Sequence, residues 1–228
     1  MSTNYRCLAE IDLPLANLEK YEATLYLARD VFLRNGWDIE LNLLYNQWSP
    51  GSNADPVIEA KAQGTTLHLW SIPDFDSLAM VMALAADNSH YVDSEQLIDG
   101  ERQNLYTILP YDPAFLNPEL PLPKAKHYML ECLHLGRAPG PRSDLLFRMS
   151  HAVVEMDSKF GWKLAFAGNA ATGVIDQYIN IWAMDTISDE AEVYYRKGPN
   201  PWSEAWSKAV TSVDVRWWLG RDLPELPK

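Results

Sequence analysis

The stretch Thr65-Thr-Leu-His-Leu-Trp-Ser-Ile-Pro-Asp74 has a counterpart further along, Gln177-Tyr-Ile-Asn-Ile-Trp-Ala-Met-Asp185. Each reads as a short alternating strand that ends at a Trp, runs on for three residues and gives way to a helix start. Side chains alternate across a strand. Thr66, His68 and Trp70 therefore share one face and Leu67, Leu69 and Ser71 the other. In the second stretch Tyr178, Asn180 and Trp182 oppose Ile179, Ile181 and Ala183.

The flanking sequence repeats around these two strands. Before the first come a strand over Tyr5–Leu13 and a helix from an Asn17 cap to about Arg34, with Leu18, Tyr21, Leu25, Ala28 and Phe32 as its apolar stripe. Asn35-Gly36 stops that helix. A strand over Trp37–Trp48 follows, with Ile39, Leu41, Leu43 and Tyr45 expected on one face. The connection from Ser49 to Gly64 holds Asp55-Pro56, a helix-start signal, and is expected to form a flap. After the first stretch come a helix over Asp76–Asp87 and a strand over Gln103–Leu109. Five prolines between 110 and 123 then predict an extended linker.

Beyond the linker the order recurs. His127–Leu135 reads as a strand. Arg142–Lys159 reads as a helix capped by Ser143, striped by Leu146, Met149, Val153 and Met156. Phe160-Gly161-Trp162 stands where Asn35-Gly36-Trp37 stood, and Trp162–Ala170 and Gln177–Met184 are strands. A helix from Ser188 is broken at Gly198–Pro201 and resumes over Trp202–Val210, before a last strand over Val213–Leu219. Each half is thus strand-helix-strand-strand-helix-strand, the ferredoxin-like order. The expected fold class is α+β: two ferredoxin-like repeats, 1–109 and 127–228, joined by a linker at 110–126. Packed sheet to sheet, they form a pseudo-dimeric α/β barrel, present as a monomer or a homodimer.

The chain resembles the dimeric α/β-barrel superfamily and, within it, the NIPSNAP-like domains. The resemblance rests on Leu69-Trp70 with the following helix and the phrase Asp87-Asn-Ser-His-Tyr91, and on Ile181-Trp182 with Asp189 and Trp202. The repeated order, with Gly-Trp and the strand-end Trp in step, reads as an internal tandem duplication. The resemblance implies an enzyme that works without a cofactor on a small hydrophobic or aromatic molecule: an oxygenase, cyclase, isomerase or lyase of natural-product or aromatic-compound metabolism. The alternative it leaves open is a non-catalytic binding or interaction protein. A haem-bearing variant of the same superfamily ranks lower, because none of the five His stands in a distinctive context.

A net charge of −12 and the lack of a basic run argue against nucleic acid or an anionic membrane as partner. The N-terminal residues carry no apolar signal region, and Leu78–Ala86 is too short to span a bilayer, so a cytoplasmic location is expected. Phosphate-loop, zinc-site and nucleophile-elbow patterns are missing, so no nucleotide or structural zinc is expected. Cys7 and Cys132 alternate with apolar residues and read as buried thiols.

His68 and Arg29 are the candidate catalytic residues, His68 because imidazole titrates near neutral pH. Arg29 and Glu22 flank the stripe of the first helix, where a guanidinium can bind a carboxylate or oxyanion. In the second half Leu146 and Val153 stand at the matching places. Trp70, Tyr178, Asn180 and Trp182, with Glu22, are the candidate substrate-binding residues. Two readings stand for the strand residues: they line pockets, or they pack as core between the halves. Nine Trp, eleven Tyr and six Phe suit an aromatic-lined cavity. The working pocket is expected in the first half, with the second half as scaffold.

Overall fold

The computed structural model describes residues 5–46, 63–74, 76–117, 120–174 and 176–222. Of the connection expected to form a flap, Ser49 to Gly64, residues 49–62 lie outside them, and Gln63 and Gly64 already belong to the strand that follows. The chain divides into two compact units. Of the described residues, the first unit takes 5–45, 63–105 and 221–222, and the second takes 46 and 106–220.

The first unit is built from β1 (Tyr5–Pro14), α1 (Leu18–Arg34), β2 (Asp38–Asn46), β3 (Gln63–Ile72), α2 (Ser77–Ala86), α3 (Ser89–Glu95) and the start of β4 (Gly100–Ile108). β3 runs antiparallel between β1 and β2, with Cys7 opposite Trp70 and Ala9 opposite His68. The start of β4 lies against β1: the Asp99 N–H donates to the Asp12 carbonyl at 2.7 Å, and Arg102 reaches Glu10. The strand order β4-β1-β3-β2 is ferredoxin-like. α3 is not legible as a separate helix in the pattern of apolar residues, being short and polar. Asn88 starts it by accepting the Tyr91 N–H at 3.1 Å.

The second unit contains α4 (Pro113–Leu116), β5 (His127–Leu135), α5 (Pro139–Phe160), β6 (Lys163–Ala170), β7 (Gln177–Met184), α6 (Asp189–Lys197), α7 (Ser203–Ala209) and β8 (Val210–Gly220). Its order, β8-β5-β7-β6, repeats that of the first. Tyr106–Ile108 at the end of β4 pair with β6. α5 begins earlier than the expected Arg142, because Pro139 and Pro141 sit in the first turn, where a missing N–H costs little. Ser143 therefore does not cap it. Gly161 ends it at φ 68, a conformation that disfavours side chains with a Cβ. The proline-rich segment is not wholly extended: Asp112 holds the one-turn α4 by accepting the Ala114 N–H at 2.7 Å, and it also accepts the Ala167 N–H at 2.5 Å.

Both second strands carry a β-bulge, and in both it falls three residues after the Gly-Trp tryptophan. In β2 the register against β3 slips between Ile39 and Leu41. In β6 it slips between Leu164 and Phe166 against β7. One extra residue moves every later side chain to the other face. Ile39, Asn42 and Leu44 consequently lie opposite Trp70, His68 and Thr66, while Leu41 and Leu43 take the reverse face. The single-face expectation for Ile39, Leu41, Leu43 and Tyr45 fails for this reason.

Each unit has a core beneath its own helices. In the first, Tyr21, Leu25 and Phe32 of α1 pack with Trp37, Trp70 and Val81. In the second, Met149 and Met156 of α5 pack with Trp162, Trp182, Tyr195 and Trp202. The polar-aromatic strand faces singled out in the sequence thus look toward the helices of their own unit. No described helix is long and apolar enough to cross a membrane.

Candidate functional site

His68 lies mid-β3, 1% exposed, under α1. Its ring stacks on Tyr21 at 5.8 Å and meets Trp70 edge-on at 6.3 Å. Its Nε2 is buried and finds no partner in the protein. Such orphan atoms are uncommon in native interiors and call for an explanation. Burial holds the imidazole neutral by pulling its pKa down to about 3.

The ring faces a cavity of about 30 Å³, lined by Cys7, Tyr21, Phe32, Trp37, Trp70, Met82, Tyr91, Glu95, Glu101 and Gln103, with Leu25. That space holds one or two waters. Phe32 meets Trp70 at 4.8 Å and Tyr91 at 5.6 Å, so the wall is a continuous set of rings. Glu95, which takes a hydrogen bond from Tyr91, and Glu101, which takes one from Gln103 at 2.8 Å, stand at the exposed rim. Desolvation raises both carboxyl pKa values, and the charge of Glu95 adds to the rise at Glu101. Burial pushes the Cys7 thiol up to about 12, which rules it out as a thiolate nucleophile at neutral pH.

The helix charges lie elsewhere. Arg29 hydrogen-bonds Asp38, its Nε at 2.9 Å from the carboxylate, and rests against Tyr26 at 5.7 Å. It is not among the residues lining the His68 cavity. Glu22, 6% exposed, accepts Asn42 Nδ2 at 2.9 Å and a two-pronged contact from Arg221 at 2.8 Å each. Glu22 is therefore bound to Asn42 and Arg221, not to Arg29 or to a free pocket. The expectation that Arg29 works beside His68 is corrected by this placement. Its reach is taken up by Asp38, which directly follows the Gly36-Trp37 turn.

Two of the three second-unit candidates, Asn180 and Trp182, come together, around a residue that the sequence did not single out. Asn180 and Trp182 flank Glu131 of β5, which is 0% exposed. One Glu131 oxygen accepts Trp182 Nε1 and the Tyr195 hydroxyl at 3.1 Å each, and Asn180 Nδ2 at 3.4 Å. The other accepts Arg196 at 3.0 Å. Tyr111 closes the set by donating to Asn180 Oδ1 at 2.8 Å. Burial raises the Glu131 pKa against the pull of Arg196 and these donors. Tyr178 lies two residues along, 8% exposed, in the apolar core. This is a saturated network that binds itself. A lone Glu amid apolar strand residues was the available signal, and it was unreadable without the β5–β7 register that sets Glu131 opposite Asn180.

Haem does not fit these surroundings. Under the second-unit helices the space is filled by Trp162, Trp182, Trp202 and Tyr195, each at most 1% exposed, and no His belongs to that core. In the first unit His68 faces room for a small group only. Among the described residues no three His, Cys, Asp or Glu converge as a metal-ligand set.

No protein-family model and no curated protein sequence matches the chain. Solved structures do. A "putative monooxygenase" from Fusobacterium nucleatum is similar over 95% of this chain and 91% of its own, at 7% identity and a TM-score of 0.55. A "putative chlorite dismutase" is similar over 96% of both chains, at 12% identity and 0.57. An "anthrone oxidase-like protein" is similar over 96% of this chain and 92% of its own, at 10% identity and 0.52. At such identities the likeness is one of fold: α+β, of the dimeric α/β-barrel type that the strand order predicts.

Proposed function

We propose that this chain is a cofactor-independent enzyme carrying out acid-base chemistry on a small hydrophobic or aromatic molecule that lodges one small group in the cavity of the first unit and rests the remainder at its rim. One observation carries the reading: the unpaired, buried Nε2 of His68 faces a ring-lined cavity that also holds two carboxyls of raised pKa. A neutral imidazole held so by burial serves as a hydrogen-bonding partner for bound substrate. Carboxyls poised above their usual range exchange protons closer to neutral pH. Tyr21 and Trp70 shape the pocket. Arg29 has no part in this arrangement. The names of the oxygenase- and oxidase-like neighbours favour an oxygenase among the reaction classes, by analogy of fold alone.

The same strand order, Gly-Trp turn and bulge position in both units support an origin by tandem duplication of a ferredoxin-like ancestor, divided at 1–109 and 127–228. The strand-end Trp of each supports kinship with NIPSNAP-like domains. On this reading the second unit has become scaffold, its strand face committed to Glu131. The test is turnover of a panel of anthrones and simple phenols, followed by product formation and oxygen uptake. His68→Phe should lose at least ten-fold, about 1.4 kcal/mol, and Tyr178→Phe much less. Equal turnover by the His68 variant would remove the site from this cavity. Tight binding without turnover would favour a non-catalytic ligand-binding protein.

A further inference from the structure

Resting on the cavity as the working site, we infer that it receives the ammonium head of a small organic amine, and not an anionic group. The ionisable groups at its rim are Glu95 and Glu101, and no Lys or Arg lines it. Its walls are aromatic, with Phe32 in contact with both Trp70 and Tyr91. Ring faces attract cations, most strongly once both are out of water. The orphan Nε2 of His68 points the same way. In the tautomer that carries its proton on Nδ1, Nε2 accepts, and an ammonium N–H supplies the donor while a carboxylate does not. Size agrees: about 30 Å³ admits an ammonium or methylammonium head, leaving the rest of the molecule to pass out between the exposed carboxylates. A net charge of −12 raises the local concentration of cations further.

The experiment is equilibrium binding of three probes of similar shape, benzylammonium, benzyl alcohol and benzoate, to the whole protein at pH 7. It is read by tryptophan fluorescence, since Trp37 and Trp70 line the cavity, and by calorimetry. Benzylammonium should bind at least ten-fold more tightly than the other two, and E95Q/E101Q together should remove that preference. If the double variant does not fold, a salt series on the wild-type protein substitutes for it. Benzylammonium affinity should fall with ionic strength while that of benzyl alcohol holds. Equal binding of all three probes, lost in His68→Phe, would refute the cation while leaving the cavity as the site. Binding that His68→Phe leaves untouched for every probe would refute both.

Discussion

The two units present the same pair of positions to their helices with opposite outcomes. In the first, β1 offers Ala9 and β3 offers His68; in the second, β5 offers Glu131 and β7 offers Asn180. A small residue beside a histidine leaves space and an unpaired nitrogen. A glutamate beside an amide draws in Trp182, Tyr195 and Arg196 and leaves none of its oxygens unbound. The first arrangement leaves a nitrogen without a partner in the protein, whereas the second satisfies its own polar groups. Two units of the same strand order thus differ in polar satisfaction through the residues at one matching pair of positions.

The largest effect that tests this contrast is at Glu131. Glu131→Ala leaves a buried indole N–H and a buried phenol without their acceptor and strips the part-buried Arg196 of one of its two carboxylate partners, Glu192 remaining. Removing one partner of such a set costs about 3–5 kcal/mol. Urea unfolding should show that loss; a cost under about 1 kcal/mol would mean that the second unit is not clamped as described.

His68→Phe should behave the other way. The ring stack on Tyr21 survives and the orphan nitrogen disappears, so stability at pH 7 should stay within about 1 kcal/mol of the wild type or rise. The pH profile sharpens the comparison. With the folded pKa near 3 and an unfolded value of about 6.5, the unfolded chain alone takes up the proton between these values. His68 therefore costs the wild-type protein stability as pH falls below about 6.5, at up to about 1.4 kcal/mol per pH unit. Urea midpoints of wild type and variant, compared from pH 7 to pH 4.5, should diverge in that direction, because other groups cancel in the difference. Parallel curves would mean that His68 is not buried neutral.

Arg29→Ala should do least. Its pair with Asp38 is partly exposed and contributes about 0.2–1 kcal/mol. Ligand binding should not change. A ten-fold loss would extend the working site to the edge of α1 and undo the separation drawn here.

Much of this architecture was legible in the chain. Apolar spacing placed both ferredoxin-like repeats, and Gly161-Trp162 marked the turn that matches Gly36-Trp37. His68 and Trp70 were legible as neighbours on one face because strand alternation is local. What escaped depended on pairing between distant segments. The bulges at 40 and 165 shift parity without any Gly or Pro to announce them. Arg29 borders the stripe of α1 as expected, yet the residue it meets depends on where β2 begins. Arg221, which holds Glu22, lies 199 residues away along the chain, beyond the reach of any local pattern.

That last contact has a consequence for how the protein is made. The first unit is not contiguous: its sheet and helices come early in synthesis, but the arginine that neutralises Glu22, and whose N–H binds the Asn42 carbonyl at 3.0 Å, comes after the whole second unit. At about 5–20 residues per second, the interval is on the order of ten seconds. During it, a buried carboxylate in the nascent first unit has Asn42 for company and no counter-charge. In the second unit Glu131 waits a shorter time, 65 residues of synthesis, for Arg196. The second unit's last strand ends at Gly220, so Arg221 follows it by a single residue, and the half with the cavity gains this counter-charge only once the second unit has been made.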